Sequence, residues 1–163
     1  MVAGWFGEVP PEAGDGAGGS GGFRLIGSRC TACATVSFPP EPAFCRNPAC
    51  AGEGERESVP LSPRGRIWSY TDGRYRPPAP YVSDPDTPWE PRTLVAVELA
   101  AEALVVLGQT PPGVRPADLA VGMEVEVVPG ILDEDKEHGT TWTTWWFRPV
   151  PAEGDAGGPG VTA

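Results

Sequence analysis

The sequence predicts a mainly β protein in which a small cysteine-rich unit (residues 23–62) precedes a five-stranded barrel (residues 63–150). Three observations support this prediction: four cysteines fall in two close pairs, strand-like segments are frequent after residue 63, and helix signals are scarce. With 163 residues, the chain is long enough to bury a core and too short for a large multidomain enzyme.

The two ends of the chain have a composition that is typical of flexible segments. Residues 1–22 contain eight glycines, two prolines, three acids and no basic residue, and residues 151–163 have a similar composition. Such segments bury too little apolar area to offset the entropy that is lost on ordering. We therefore expect residues 1–22 and 151–163 to be disordered tails or linkers.

The cysteine pattern is C-x2-C-x11-C-x4-C, formed by Cys30, Cys33, Cys45 and Cys50. Two thiolates on one tight turn can reach the same metal ion, and two such pairs supply the four ligands of tetrahedral zinc. The second pair is wider than usual, but Asn47 and Pro48 favour the turn that it needs. Free cysteines or disulfides are the alternative, which the paired spacing disfavours in a reducing compartment. Because four thiolates fill the coordination sphere, the pattern predicts a structural zinc ribbon.

Five segments after residue 63 have the composition of β-strands: 66–71, 93–99, 103–108, 123–128 and 141–150. In the second segment Val95, Val97 and Leu99 alternate onto one face, and in the fourth Glu124 and Glu126 alternate onto the solvent face. The third segment, ALVVLG, is a continuous apolar run, which predicts a strand buried on both faces.

Between the third and fourth segments, RPADLAV (115–121) favours one helical turn that starts near Pro116 and ends before Gly122. Five strands with one short helical element at this place are the outline of the oligonucleotide/oligosaccharide-binding (OB) barrel. The fold prediction is therefore a rubredoxin-like zinc ribbon followed by a five-stranded OB-fold.

The order of these motifs resembles that of a known family. After the ribbon cysteines come Pro39 and Pro40, and then the stretches SPRGRIWSYT, PRTLVAVELA and VGMEVEVVPG. This order is similar to that of the zinc-ribbon plus OB-fold acyl-CoA-associated family, formerly a domain of unknown function, and the resemblance covers about residues 23–150. Members of that family are non-catalytic partners of thiolases, of hydroxymethylglutaryl-CoA synthase or of thiolase-fold aldolases that shorten steroid side chains. Some members are fused to an enoyl-CoA hydratase.

The resemblance implies an accessory subunit that binds and stabilises a thiolase-fold acyl-CoA enzyme, with structural zinc as cofactor and acyl-CoA as a ligand of the complex. The CRNPAC form of the second cysteine pair is similar to the steroid-degrading branch, whose partner enzyme is a retro-aldolase, an acyl-CoA lyase. The family commonly begins with a helix before the ribbon, whereas residues 1–22 here are glycine-rich. We therefore expect either that the helix is absent or that this chain is a piece of a longer fused protein.

Arginines and aromatic residues around the first two barrel strands are candidate contacts to coenzyme A or to the partner. Five of the twelve basic residues fall between positions 64 and 92: Arg64, Arg66, Arg74, Arg76 and Arg92. Arginine suits both roles because its planar guanidinium donates two hydrogen bonds to one phosphate or carboxylate. Tyr75, Tyr81 and Trp89 lie in a proline-rich loop (75–91) that is suited to lining a groove or docking on another subunit. The alternative is ordinary surface arginines beside a loop.

The last strand carries an unusual concentration of aromatic residues: Trp142, Trp145, Trp146 and Phe147. Alternation places Trp145 and Phe147 on one face and Trp142 and Trp146 on the other, so one small core cannot hold all four. One face is therefore expected to pack against something else. That is either a partner protein, since aromatic anchors dominate interfaces, or the ribbon or a tail folded over the strand.

Charge and composition narrow the remaining classes of function. The formal charge of −10, from 22 acidic and 12 basic side chains, repels nucleic-acid phosphates and argues against the alternative of a nucleic-acid-binding OB module. The one histidine, His138, follows an acidic run and is expected at a solvated hairpin tip instead of a catalytic centre. With no membrane-length apolar segment and no signal-peptide pattern, we expect a cytoplasmic protein without membrane or nucleic-acid partners.

Overall fold

The computed structural model describes residues 4–10, 22–76, 90–135 and 138–151. The strands of this described part are β1 (Phe6–Val9), β2 (Gly22–Cys30), β3 (Val36–Ser37), β4 (Arg56–Pro60), β5 (Arg64–Gly73), β6 (Arg92–Leu99), β7 (Leu104–Gln109), β8 (Glu124–Asp135) and β9 (Thr140–Pro149). The helical element is a single 3₁₀ turn, Pro116–Asp118, so no helix among these residues is long and apolar enough to cross a membrane. The prediction of a mainly β fold is confirmed.

Strands β5 to β9 close into a barrel in the order β5-β6-β7-β9-β8. Neighbouring strands are antiparallel except β7 and β9, which run parallel and share one register pair, Gln109 with Trp146. The 3₁₀ turn lies between the third and fourth barrel strands, where the sequence placed it. Both the five-stranded barrel and the order of its elements therefore agree with the predicted OB-fold.

The interior of the barrel is filled by alternate residues of its strands: Ile67, Val95, Val97, Leu99, Val106, Val125, Val127 and Phe147. The predicted inward face of β6, made by Val95, Val97 and Leu99, is confirmed. Phe147 crosses the interior beneath β7, and a Cβ added to Gly108 would lie 2.8 Å from its ring. Glycine is required at position 108 because the buried ring has no room to move away.

Strand β7 differs from its prediction as a strand buried on both faces. Val106 points into the barrel, but Val105 and Leu107 are exposed on the outer face. A barrel has a single interior, and nothing in the described part of the chain covers the outside of β7. Burial on both faces of β7 therefore does not explain why this stretch is apolar, because Val105 and Leu107 face solvent.

The N-terminal segment also departs from its prediction as a tail through residue 22. Strand β1 pairs with β2 from Phe6 opposite Leu25 to Val9 opposite Gly22, and the N–H of Ile26 donates to the carbonyl of Trp5. The average composition of residues 1–22 concealed a short strand-forming stretch with two aromatic residues. The predicted C-terminal tail from residue 152 onward lies outside the described residues.

Strand β2 is the centre of the ribbon, since it pairs with β1, β3 and β4. It also links the ribbon to the barrel, because Leu25 of β2 and Leu61 after β4 belong to the same buried cluster as the barrel residues. The N–H of Leu61 donates to the carbonyl of Leu25 at 2.8 Å. Ribbon and barrel therefore share one hydrophobic core.

A cluster of aromatic rings around Trp145 of β9 completes this junction. The Trp145 ring lies 6.4 Å from Trp5, 5.7 Å from Phe6 and 5.6 Å from Phe38, between ring centroids. Phe6 in turn packs against Phe23 of β2 at 5.6 Å. Trp145 thus joins the N-terminal strand, the ribbon and the barrel. For this residue the structure favours the alternative in which the ribbon and the N-terminal segment fold over the last strand.

We expect the Phe6→Ala and Trp145→Ala effects on the free energy of unfolding to be non-additive. Their rings are in contact, so a double-mutant cycle measured by urea unfolding should give a coupling energy of about 1 kcal/mol. Phe44→Ala, at an exposed ring of the ribbon, is the control and should be additive with Trp145→Ala. Additivity for Phe6 and Trp145 as well would contradict the packing of β1 on the barrel.

Candidate functional site

The four cysteines converge at one end of the ribbon. Cys30 ends β2, Cys33 lies in the following turn, and Cys45 and Cys50 lie in the loop between β3 and β4. Their sulfur atoms all lie within 4.8 Å of one another, with 3.8 Å between Cys30 and Cys50 and 3.6 Å between Cys33 and Cys45. A tetrahedron of thiolates about 2.3 Å from zinc has sulfur–sulfur edges of about 3.8 Å. The four thiols therefore fit a zinc ion, and they are not paired as disulfides.

The first pair is set by a tight turn after β2. The N–H of Ala34 donates to the carbonyl of Cys30 at 2.8 Å, and the N–H of Cys30 donates to the carbonyl of Thr35 at 3.0 Å. Ala34 closes the turn with a φ of 60°, a left-handed conformation that glycine adopts more easily. This reversal brings the thiols of Cys30 and Cys33 to the same side.

The second pair uses Asn47, the turn former that the sequence indicated. Its Oδ1 accepts from the N–H of Ala49 at 3.0 Å, and its carbonyl accepts from the N–H of Cys50 at 3.0 Å. These bonds fold the four residues between Cys45 and Cys50 into a compact turn. The wider spacing of the second pair is therefore accommodated by the side chain and backbone of one asparagine.

Thr35 connects the two turns and acts on a ligand. Its Oγ1 accepts from Nδ2 of Asn47 at 3.3 Å and lies 3.3 Å from Sγ of Cys33. The Cys33 thiol donates to this hydroxyl, and once Cys33 is a thiolate the hydroxyl can donate a hydrogen bond to the sulfur instead. This hydrogen bond, together with the N–H of Thr35, lowers the pKa of Cys33 to about 6. Cys33 is therefore the thiol most ready to act as a thiolate ligand at neutral pH.

The pKa values of Cys45 and Cys30 are shifted in opposite directions. The N–H of Asn47 lowers the pKa of Cys45, but burial and the neighbouring thiols raise it to about 11 overall. Burial raises the pKa of Cys30, yet the N–H groups of Cys33 and Ala32 outweigh it, and the net shift is downward. Hydrogen bonds among the four thiols contribute to this contrast, because they raise the pKa of Cys45 and lower that of Cys33, and a bound dication would favour the thiolate form of each ligand.

Comparisons with known proteins agree with this geometry. Residues 23–55 match the family model described as "ChsH2, rubredoxin-like zinc ribbon domain". A DUF35 domain-containing scaffold protein of Pyrococcus furiosus is 33% identical over 128 residues, which cover 78% of this chain and 85% of the relative. The chain belongs to the DUF35 family. The resemblance noted from the sequence motifs is thereby confirmed, and with it the four-cysteine ribbon and the barrel.

Two further comparisons also find DUF35 proteins that are similar to this chain. The DUF35 domain-containing scaffold protein of Methanocaldococcus jannaschii is 29% identical, with 78% of this chain and 83% of the relative covered. A chain of the solved structure described as "Ltp2-ChsH2(DUF35) aldolase" matches with a TM-score of 0.53 and 28% identity. That match covers 77% of this chain and 84% of the other, so it includes more than the ribbon.

The arginines that are clustered in the sequence are separated in the DUF35 fold. Arg64 and Arg66 lie at the start of β5, whereas Arg74 and Arg76 follow its end and Arg92 pairs in register with Gly73. A strand of ten residues spans about 30 Å. The five arginines therefore form two groups at opposite ends of the β5–β6 hairpin, and their contact with coenzyme A or a partner stays a prediction.

The aromatic candidates fall into three groups. Tyr75 is exposed beyond β5, and Tyr81 and Trp89 lie outside the described residues. Phe147 is fully buried and Trp145 packs within the chain, which favours the alternative of intramolecular packing for these two residues. Trp146 covers Gly130, where an added Cβ would lie 2.6 Å from the indole, and Trp142 is half-buried. His138 is exposed in the turn between β8 and β9, as expected.

The sequence reasoning missed an exposed apolar surface on the outside of β5, β6 and β7. Trp68, Leu94, Val105 and Leu107 are all exposed there. One signal was available: Ile67 and Trp68 are adjacent in a strand, and only one of two adjacent residues can face the interior. The register that brings Trp68 near Leu107 is a tertiary property, which the sequence pattern does not contain.

We expect one zinc ion per chain and a weaker site in Thr35→Val. The substitution keeps the side-chain shape but removes the hydroxyl beside the Cys33 sulfur, so zinc affinity should fall about 10- to 100-fold. Competition with a chromophoric chelator measures the affinity, and metal analysis measures the stoichiometry. Thr31→Val, which alters the hydroxyl that accepts from the N–H of Glu55, is the control. Equal affinities for the Thr35 variant and the wild type would contradict the role of this hydroxyl.

Ala34→Gly should stabilise the zinc-loaded protein by about 1 kcal/mol, because a left-handed residue with a Cβ costs roughly that much. Thermal unfolding in excess zinc provides the measurement. Ala32→Gly changes the same turn at a position without a positive φ and should give no gain. A loss of stability in Ala34→Gly would show that the turn has another conformation.

Proposed function

We propose that this chain is a non-catalytic scaffold subunit that binds and stabilises a thiolase-fold acyl-CoA enzyme, with a retro-aldolase as the favoured partner. The observation that carries the proposal is the match, across both ribbon and barrel, to a chain of the solved Ltp2-ChsH2(DUF35) aldolase. The name of the curated relatives, scaffold protein, supports the same role. The lyase activity would belong to the complex, and the partner would supply the catalytic residues.

The chemistry of the chain supports a non-catalytic role. Among the described residues, the group of side chains that could hold a metal is the four-cysteine set. Four thiolates leave no open position on zinc for a water or a substrate, so a bound zinc ion would stabilise the ribbon without acting as a Lewis acid. His138, the single histidine, is exposed at a turn far in sequence from the cysteines.

The packing supports a scaffold in particular. Leu25 and Leu61 place ribbon residues in the barrel core, and Trp145 holds the N-terminal strand and the ribbon against β9. Two surfaces that share a core keep a fixed relative orientation. A subunit of this kind can contact an enzyme at two places without losing much entropy on binding.

We extend the proposal to a contribution to the acyl-CoA site. A groove of about 720 Å³ lies beside the end of β5, and Arg74 and Arg115 are at its edge. Each guanidinium is paired with a carboxylate, Arg74 with Asp72 and Arg115 with Asp118, which keeps it oriented at the groove. Arginines so placed suit the phosphates of coenzyme A. A hydratase domain as an additional partner stays a prediction from the family resemblance.

The nucleic-acid-binding alternative finds less support. OB barrels bind single strands through a basic groove and aromatic stacking platforms, mainly on the face of their second and third strands. Here that face carries Leu94, Val105 and Leu107, and the chain has a charge of −10. We propose instead a protein partner in the cytoplasm, where four reduced thiols with paired spacing bind metal.

The proposal is tested by tagging the chain in its native cells, purifying it at low salt and identifying co-purifying proteins by mass spectrometry. We expect a thiolase-fold subunit in stoichiometric amount. When that subunit is expressed alone, its melting temperature should be lower than in the complex. The scaffold chain by itself should have no lyase activity on acyl-CoA substrates.

A tagged copy of an unrelated acidic protein of similar size is the control for charge-driven capture. A chain that purifies alone, or that retains single-stranded nucleic acid at low salt, would contradict the proposal.

A further inference from the structure

The outside of the barrel carries an apolar surface that the fold does not use. We call it the outer-face patch and define it by Trp68, Leu94, Ala96, Val105 and Leu107. Trp68 is 63% exposed, Leu107 72%, Val105 48% and Leu94 40%. Large apolar side chains exposed singly are ordinary, but a contiguous group on a soluble domain marks an interaction site.

The strand register shows that these residues are contiguous. Ala96 of β6 pairs with Ser69 on one side and with Leu107 on the other. On the same outer face, Leu94 lies one row away in one direction, and Val105, opposite Glu98, lies one row away in the other. Trp68 reaches this face because the register shifts between Ile67 and Ser69, a bulge that leaves Ile67 in the core and Trp68 outside. The small side chain of Ala96 forms the floor between the two largest members, Trp68 and Leu107.

Charges border one side of the patch and largely neutralise one another. Arg66 stands opposite Glu98 on β6 and Glu124 on β8. One row further, Arg64 contacts Glu124 at 3.2 Å, and Arg148 donates to Glu126 at 2.9 Å. The patch therefore has an apolar centre and a border of balanced charge, which resembles the core and rim of a protein interface.

The size of the patch fits one interface of ordinary extent. A Trp side chain presents up to about 250 Å² and aliphatic side chains somewhat less, so these exposed fractions sum to roughly 400 Å² of apolar area. A standard interface buries about 800 Å² on each partner, and a little more than half of that is apolar. The outer-face patch thus supplies nearly all the apolar area that one such interface needs.

The net charge decides between the possible occupants. Two copies of this chain would bring charges of −10 each into contact across a small area, and nucleic acid would add further negative charge. A different protein without an acidic excess avoids this repulsion, and the negative field of the whole chain favours the approach of a neutral or basic surface.

We propose that the outer-face patch is the docking surface for the catalytic subunit, and that the docked region of that subunit is apolar at its centre and neutral or basic around it. This inference rests on the proposed function, since it names the surface by which the scaffold would bind its enzyme.

The test uses the zinc-loaded full chain and, as its probe, the purified thiolase-fold subunit that the preceding experiment identifies. Trp68→Glu and Leu107→Glu should each weaken binding at least about 10-fold, because each puts a charge into the apolar centre. Phe44→Glu and Leu132→Glu are matched controls, since these residues are 58% and 48% exposed but lie outside the patch. Melting temperature and zinc content show whether each variant is folded.

Hydroxyl-radical footprinting gives a second readout that needs no variant. Trp68 and Leu107 of the wild-type chain should be protected in the complex, whereas Phe44 and Leu132 should stay reactive. Affinity should also fall as salt rises if the partner's rim is basic.

The outcomes separate the two proposals. Tight binding by both patch variants, with Trp68 unprotected, would overturn the docking surface and leave the scaffold function intact. Failure of the wild-type chain to bind the thiolase-fold subunit would overturn the proposed function itself. A wild-type dimer in sedimentation that Leu107→Glu dissociates would show that a second copy occupies the patch and would overturn the inference.

Discussion

The packing of Trp145 is the interaction on which the arrangement of the whole chain depends. Its ring contacts Trp5 and Phe6 from the N-terminal end and Phe38 from the ribbon, while its strand closes the barrel. Three parts of the chain that are distant in sequence therefore meet on one side chain. Edge-on and tilted contacts of this kind add to the area they bury, because aromatic rings attract one another in these orientations.

The ribbon illustrates why such a junction is needed. A unit of this size has too little interior to fold on hydrophobic burial alone. Four thiolate ligands fix its metal end, and Leu25 and Leu61 anchor its other end in the barrel core. The unit is thus held by coordination at one end and by shared apolar contacts at the other. Neither end requires the ribbon to possess a core of its own.

Local spacing made the metal site and the barrel strands predictable from the sequence. The two cysteine pairs need only short turns to converge, and Asn47 was identifiable as the residue that folds the second turn. The alternation of apolar residues predicted which side chains of β6 face the core, because successive side chains of a strand point to opposite faces. Relationships across the fold were not predictable in this way. The arginines near in sequence are separated by the length of β5, and β1 was hidden by glycine-rich surroundings.

The position of β9 has a consequence for the order in which the protein can be completed during synthesis. The metal ligands lie between residues 30 and 50, so they emerge from the ribosome within a short stretch and before any barrel strand. Trp145 and Phe147 emerge well after the last metal ligand, and β7 and β9 share only one register pair. Before these two residues are synthesised, the interior of the barrel lacks the Phe147 ring, and Phe6 of the N-terminal strand cannot pack against Trp145. The nascent chain would therefore acquire its metal-bound end first, and the packing of the ribbon against the barrel only once β9 has been synthesised.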